Sequence, residues 1–123
     1  MRDNITTGKM GEEMACNYLR KKGYAIFEKN FKCRIGEIDI VAEKDGRIVF
    51  VEVKTRNGDM FGMPSEAVNH KKRRKIVNSA AYYMMLHREY GKYDVRFDVI
   101  EVLISGRNVK INHIKNAFGK EVL

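Results

Sequence analysis

Asp39, Glu52 and Lys54 are the residues of this chain whose types and spacing point to chemistry. They lie in two short apolar runs, residues 36–42 and 48–56, on either side of Lys44-Asp45-Gly46-Arg47. Asp-Gly between two alternating apolar runs is a strong hairpin signal. A two-residue loop at Asp45-Gly46 pairs Lys44 with Arg47, which sets Asp39 directly opposite Glu52 and Glu37 opposite Lys54. Side chains alternate between the two faces of a strand. Ile38, Ile40 and Ala42 are therefore expected on one face with Val49, Val51 and Val53. The other face carries Glu37, Asp39, Glu52 and Lys54, with Val41 and Phe50 beyond them.

Like charges directly opposed across a ladder destabilise it, so this placement implies a cation. Two converging carboxylates offer the hard oxygen ligands that magnesium and manganese prefer. The backbone carbonyl of Val53, between Glu52 and Lys54, would add another. The Lys54 ammonium would orient or help deprotonate a metal-bound water and offset charge on a phosphate. The competing reading is a surface ion-pair network, in which exposed pairs are worth little. A Glu37–Lys54 salt bridge fits it, but Asp39 and Glu52 would still face each other. The apolar character of residues 48–51 argues for a cleft rather than a wet sheet face.

The elements that must position these residues follow from periodicity and punctuation. Thr6 or Thr7 is expected to cap a helix ending at residue 22, with Gly23 as its stop. Met10, Met14, Ala15, Tyr18 and Leu19 form its apolar stripe. Glu12 borders that stripe and offers a further carboxylate to the site, whereas Glu13 points away. Residues 24–31 read as a strand, ahead of the hairpin. A glycine-broken loop, residues 57–64, leads to a long helix opened by Pro64 or Ser65, ending at residue 90 and closed by Gly91. Strands at 95–104 and 109–114 complete the order α-β-β-β-α-β-β: an α/β fold whose mixed sheet is flanked by helices. The tail beyond residue 115 has no clear pattern.

Length fits one domain, residues 1–123, and a hydrophobic fraction of 44% is ordinary for a globular fold. No signal peptide is expected, and no apolar run approaches a membrane span of about 20 residues. Cys16 and Cys33 show no CxxC pattern, which fits a small buried side chain and a loop thiol in a reducing cytoplasm. His70, His87 and His113 show no metal-ligand spacing. Arg96 and Asp98 alternate on a strand and suit a structural pair. The formal charge of +8 favours a polyanionic partner, with nucleic acid the commonest. Residues 70–75 concentrate that charge, and Lys71, Lys72 and Lys75 lie toward one side of the helix, suited to phosphate contact. A solvated charged face is the plainer alternative.

The Asp39 and Glu52-x-Lys54 pattern resembles the PD-(D/E)XK nuclease superfamily, whose core is α-β-β-β-α-β. More closely, the chain resembles the YraN family of bacterial proteins, which is compared with archaeal Holliday junction resolvases. The similarity runs from residue 8 to residue 118. It includes Gly11-Glu12, Asn30, Arg34-Ile-Gly-Glu-Ile-Asp39, Phe50-Val-Glu-Val-Lys-Thr-Arg56, Phe61-Gly62, Ala67-Val68, Lys72 and Arg96-Phe-Asp-Val99. Ile38 stands where the superfamily name has proline.

The resemblance implies a restriction-endonuclease-like core and a metal-dependent endonuclease acting on DNA, with branched or structured DNA as a substrate class. By it, Glu12, Asp39, Glu52 and Lys54 are the catalytic set. Asp39, Glu52 and the Val53 carbonyl bind Mg2+ or Mn2+, and Arg34, Arg56, Lys71, Lys72 and Lys75 contact nucleic acid. It also raises a homodimer, with Tyr82, Tyr83, Met84 and Met85 as packing residues or a dimer face. Two other classes fit the residues: a nucleic-acid-binding module of the same fold without turnover, and a basic protein-interaction domain.

Overall fold

The structure, a computed structural model, describes residues 4–57 and 69–123, with side chains from Thr7 onward. The order is α1 (Asn4–Lys21), β1 (Ala25–Lys32), β2 (Glu37–Lys44), β3 (Arg47–Asn57), α2 (His70–Leu86), β4 (Asp94–Ser105) and β5 (Asn108–Phe118). Short 3-10 turns occupy Arg88–Tyr90 and Lys120–Val122. This is the expected α-β-β-β-α-β-β succession. The strands form one mixed sheet in the order β1-β2-β3-β4-β5. Only β3 and β4 run parallel, and α2 lies in the connection between them, as parallel neighbours require.

The hairpin forms where Asp45 and Gly46 adopt positive φ, 54° and 79°, the backbone a two-residue turn needs. Its register is the expected one from Lys44–Arg47 to Ile40–Val51. Strand β3 is central and covered on both sides, which explains its near-continuous apolar run. On one side, Ala15, Cys16 and Leu19 of α1 pack on Ile40, Ala42, Val49, Val51, Ile100 and Val102. On the other, Ile76, Val77, Ala80 and Tyr83 of α2 pack on Val41, Ile48, Phe50, Phe97 and Val99. Burying whole faces of both helices supplies the main drive for this arrangement.

Several expectations are corrected. The β2–β3 register ends at Ile40–Val51, so Asp39 and Glu52 are not ladder partners. Ile38 joins the α2-side core with Phe31 rather than following Ile40 to the α1 side. The chain bends here, with Asn30 of β1 at φ 56°, once β2 is no longer tied to β3. Helix α1 already runs through Thr6 and Thr7 from Asn4. The expected helix start at Pro64 or Ser65, with the Phe61-Gly62 and Ala67-Val68 motifs, lies outside the described residues. Asn69 is extended (φ −70°, ψ 163°) and caps α2, its side chain accepting from Lys72 N at 2.9 Å.

Helix α2 stops at Leu86, because His87 leaves helical geometry and its ring packs 4.2 Å from that of Tyr83 and 5.7 Å from that of Tyr90. Gly91 is not a left-handed stop; it has φ −62°. Strand β5 continues to Phe118, and Phe118 and Val122 both enter the core. Among the described residues, no helix is long and apolar enough to cross a membrane.

Gly11 sets how closely α1 approaches β3. A Cβ there would collide with Thr55 Oγ1 and lie 2.9 Å from Thr55 Cβ. Gly11→Ala would gain about 1 kcal/mol of helix propensity, but overpacking of about 1–3 kcal/mol opposes it. The expected result is net destabilisation in urea unfolding, partly relieved by adding Thr55→Ala.

Candidate metal centre

The acidic site forms where β2 and β3 part. Beyond Ile40–Val51, the Asp39 carboxylate accepts the Val53 N–H at 2.8 Å, taking a backbone donor that a strand neighbour would otherwise hold. Asp39 is also hydrogen-bonded to Glu52. Glu52 shares the α2-facing side of β3 with Phe50 and is only 6% exposed. A cleft of about 370 Å³ opens here, lined among others by Glu12, Asp39, Glu52, Val53, Thr55 and Lys72. Because the strands have parted, both helical layers reach it. Glu12 comes from α1, carried over β3 by the close approach at Gly11. Glu13 is exposed and pairs with Lys29 at 3.3 Å, which places these two glutamates as the helix phase predicted.

Electrostatics single out this pair. The Asp39 carboxyl is pushed up to about 8 by burial and by the charge of Glu52, with Glu12 adding to it. The Val53 N–H works in the opposite direction and loses. Asp98, completely buried, behaves differently. Burial opposes its charge as well, but hydrogen bonds from His113 and Arg96 and from Asn116 N hold its carboxyl below the usual range. Arg96 grips Asp98 with two bonds of 2.8 Å, and His113 Nε2 lies 2.7 Å away. Asp98 is a satisfied structural anion, and the Arg96–Asp98 pair is as the strand alternation predicted. Asp39 instead faces a second carboxylate, Glu52, whose ion-pair partner among the described residues is Lys72. A raised carboxyl beside a like charge in a cleft marks a candidate functional site.

That pair of facing carboxylates tests the fit of a divalent cation. Two hard-oxygen side chains that cannot both be charged alone become favourable around Mg2+ or Mn2+. Val53, whose carbonyl is the expected third donor, lines the same cleft. Among the described residues, no three His, Cys, Asp or Glu side chains are grouped to hold one ion. Glu12 thus lines the cleft without completing a three-carboxylate cage.

The remaining expected residues divide. Lys54 leaves β3 on the same side as Glu52, beside Glu101 in the parallel register. It is not among the residues lining the cleft. The expected Glu37–Lys54 bridge does not form, and among the described residues Lys54 makes no ion pair. Arg56 was expected at nucleic acid, but its side chain is 11% exposed and its Nε lies 3.6 Å from the buried Glu101. That acid, which also accepts from Asn112 at 2.8 Å, draws Arg56 inward and removes it from the surface cations. Arg34 is exposed in the β1–β2 connection. Lys71, Lys72 and Lys75 do gather, with Gly36 and Glu37, around a second cleft of about 400 Å³. Lys72 belongs to both clefts.

Lys72 is the residue whose role sequence reading missed. Its Nζ lies 2.5 Å from Glu52 Oε2. Burial works to lower its pKa, yet the hydrogen bond and charge of Glu52, with Asp39 and Glu37, raise it. The signal was there: Lys72 stands four residues before buried Ile76, a spacing that puts both on the face of α2 turned to the sheet. His113 was also underestimated: its side chain is 5% exposed, bridging Asp98 and the Tyr18 hydroxyl at 2.7 and 3.0 Å.

A helix, a three-strand unit, a crossover helix and a parallel strand follow the α-β-β-β-α-β order that the PD-(D/E)XK resemblance implied. The chain belongs to the family described as "Uncharacterised protein family UPF0102", whose model matches residues 11–102. It is the family to which the YraN-like motifs pointed. The chain is 52% identical over 113 residues to a UPF0102 protein of Caldicellulosiruptor bescii, covering 90% of this chain and 95% of that one. It is also 52% identical over 116 residues to one from Caldanaerobacter subterraneus subsp. tengcongensis, covering 92% and 94%. A UPF0102 protein of Persephonella marina is 49% identical over 111 residues, covering 90% and 91%.

The raised Asp39 carboxyl makes stability depend on pH. In the unfolded chain this group loses its proton near 3.8, the ordinary value for an aspartate, but in the folded chain only at about 8. The folded state therefore holds more protons between those values, and stability falls as pH rises through that window. In chelator, wild-type protein is expected to lose stability relative to Asp39→Asn from pH 4 to 8. The loss should exceed about 1.4 kcal/mol, the equivalent of one pKa unit. Urea unfolding of both proteins across the range measures it.

Proposed function

We propose that this protein is a divalent-metal-dependent nuclease that hydrolyses phosphodiester bonds in DNA in the cytoplasm, with branched or structured DNA as its substrate class. The observation that carries this reading is the pairing of Asp39 and Glu52 in one cleft, with the Asp39 carboxyl raised by burial and by Glu52, set beside the lysine-rich start of α2. The relatives' names state no activity, so the reading rests on the site.

Asp39, Glu52 and the Val53 carbonyl would hold Mg2+ or Mn2+, which supplies Lewis-acid polarisation of a phosphate oxygen and a lowered pKa for bound water. Glu12, reaching the cleft from α1, accepts a hydrogen bond from water entering there and orients it. Lys54, free of any ion pair among the described residues, offsets the negative charge that grows on the phosphate. Lys71 and Lys75 hold the neighbouring backbone by charge, a contact that positions the substrate without reading its sequence. Arg34 extends this basic surface.

A second reading, a binding module of the same fold without turnover, is favoured by one observation. Lys54 stands outside the cleft lining, while a different lysine contacts Glu52. Cleavage of linear, flapped and four-way DNA, with and without Mg2+ or Mn2+, separates the two. Asp39→Asn and Glu52→Gln are each expected to abolish metal-dependent cleavage while DNA binding survives. Lys54→Ala is expected to slow cleavage with metal binding retained. Wild-type protein that binds several of these DNAs and cuts none supports the binding module. Equal cutting by wild type and Asp39→Asn would remove the site from the reaction.

Binding is expected to weaken steeply with salt. Lys71→Ala combined with Lys75→Ala should flatten the logarithmic salt slope by about 1 unit per lost phosphate contact. An unchanged slope would return these lysines to a solvated face.

A further inference from the structure

The Asp39–Glu52 pair already has a cationic neighbour. Lys72 Nζ lies on Glu52 Oε2, and the Lys72 side chain is 47% exposed while Glu52 is 6% exposed. The ammonium thus reaches in from solvent to a buried carboxylate, along a flexible stem able to withdraw. Its backbone is fixed: Lys72 N is held by the Asn69 cap at 2.9 Å. The same side chain lines the neighbouring cleft with Lys71 and Lys75, where the one carboxylate among the described lining residues is exposed Glu37.

We propose that Lys72 is the resident counter-cation of the Asp39–Glu52 pair, displaced from Glu52 when a divalent ion binds and released toward phosphate in the adjoining basic cleft. The proposal rests on the metal-centre reading and adds to it a competition that the reading alone does not require. An ammonium and a divalent ion cannot both take the same carboxylate oxygen at full strength, and they repel each other at contact distance. Lys72 therefore weakens metal binding in the free protein. It also keeps the acidic pair from standing without a cation when metal is scarce. By linkage, anything that draws the ammonium away from Glu52 tightens the metal, and metal binding frees the ammonium for an anion. Lys72 then acts as a positioning residue, distinct from Lys54, which does not line the cleft.

The test is Mn2+ binding by calorimetry, in the absence of DNA, for wild type, Lys72→Ala, Lys71→Ala and Glu52→Gln. Lys71→Ala removes the same charge from the same helix turn without touching Glu52, so it controls for the general field. Lys72→Ala is expected to bind Mn2+ about fivefold or more tightly than wild type, a coupling of ordinary size, with Lys71→Ala close to wild type. Without metal, Lys72→Ala is expected to melt below wild type, because Glu52 loses its partner, and saturating Mn2+ should close that gap. Equal or weaker Mn2+ binding by Lys72→Ala, or equal tightening in Lys71→Ala, overturns the proposal while leaving the metal centre standing. Mn2+ binding that is absent from wild type, or unchanged in Glu52→Gln, overturns the metal-centre reading and this inference with it.

Discussion

The contact between the Asp39 and Glu52 carboxylates is unfavourable by itself, and the surrounding elements are arranged so that it nevertheless persists. The Asp45-Gly46 turn fixes the register that brings the two residues to the same end of the hairpin. The ladder then stops one position short of them, and the space it leaves is the cleft. Asp39 is kept in place by the Val53 N–H. Gly11 lets α1 settle on β3, which brings Glu12 near, while α2 brings Lys72 from the opposite layer. Every one of these devices acts against a local repulsion that the apolar core on both sides of β3 is large enough to hold.

Two aspartates of this sheet show how environment, rather than residue type, decides role. Asp39 and Asp98 each accept a backbone N–H where a ladder is interrupted, from Val53 and Asn116 respectively. Asp98 is enclosed by Arg96, His113 and the Tyr24 hydroxyl bonded to Arg96, so its charge is welcome. Asp39 faces another acid. The first arrangement ties β4 to β5 and α1; the second leaves a repulsion that a proton on Asp39 or a nearby cation relieves.

Much of this was legible in the sequence because it depends on short-range rules. The hairpin register followed from Asp45-Gly46, the helix phase separated Glu12 from Glu13, and the run at residues 48–53 identified the central strand. What was not legible depends on contacts between distant segments. The end of the ladder at Ile40 is set by Asp39 reaching Val53, which alternation alone does not reveal. Ile38 changed sides beyond the last β2–β3 pair, where β2 is held by β1 and Asn30 of β1 stands at φ 56°. Arg56 turned inward because Glu101, 45 positions later, is buried beside it. Lys72 was grouped with its basic neighbours although it stands one helical turn before buried Ile76, and its acidic partner lies on a distant strand. The candidate residues were thus found, but their partners were not.

The two outer strands share a feature with a consequence for how copies of this protein meet. In β1, a register shift lies between Ile26 and Glu28 and Asn30 stands at φ 56°; in β5, the shift falls opposite Phe97 and Val99, with Asn116 at φ 53°. Both margins also carry lysines, Lys29 and Lys32 on one, Lys110 and Lys115 on the other. Bulges break the regular row of free amides and carbonyls that an incoming strand must match, and facing lysines repel across such a junction. A chain so rich in β-structure is thereby guarded against growing edge to edge into continuous sheets. That protection comes from the same kind of backbone irregularity that, one strand inward, opens the acidic cleft.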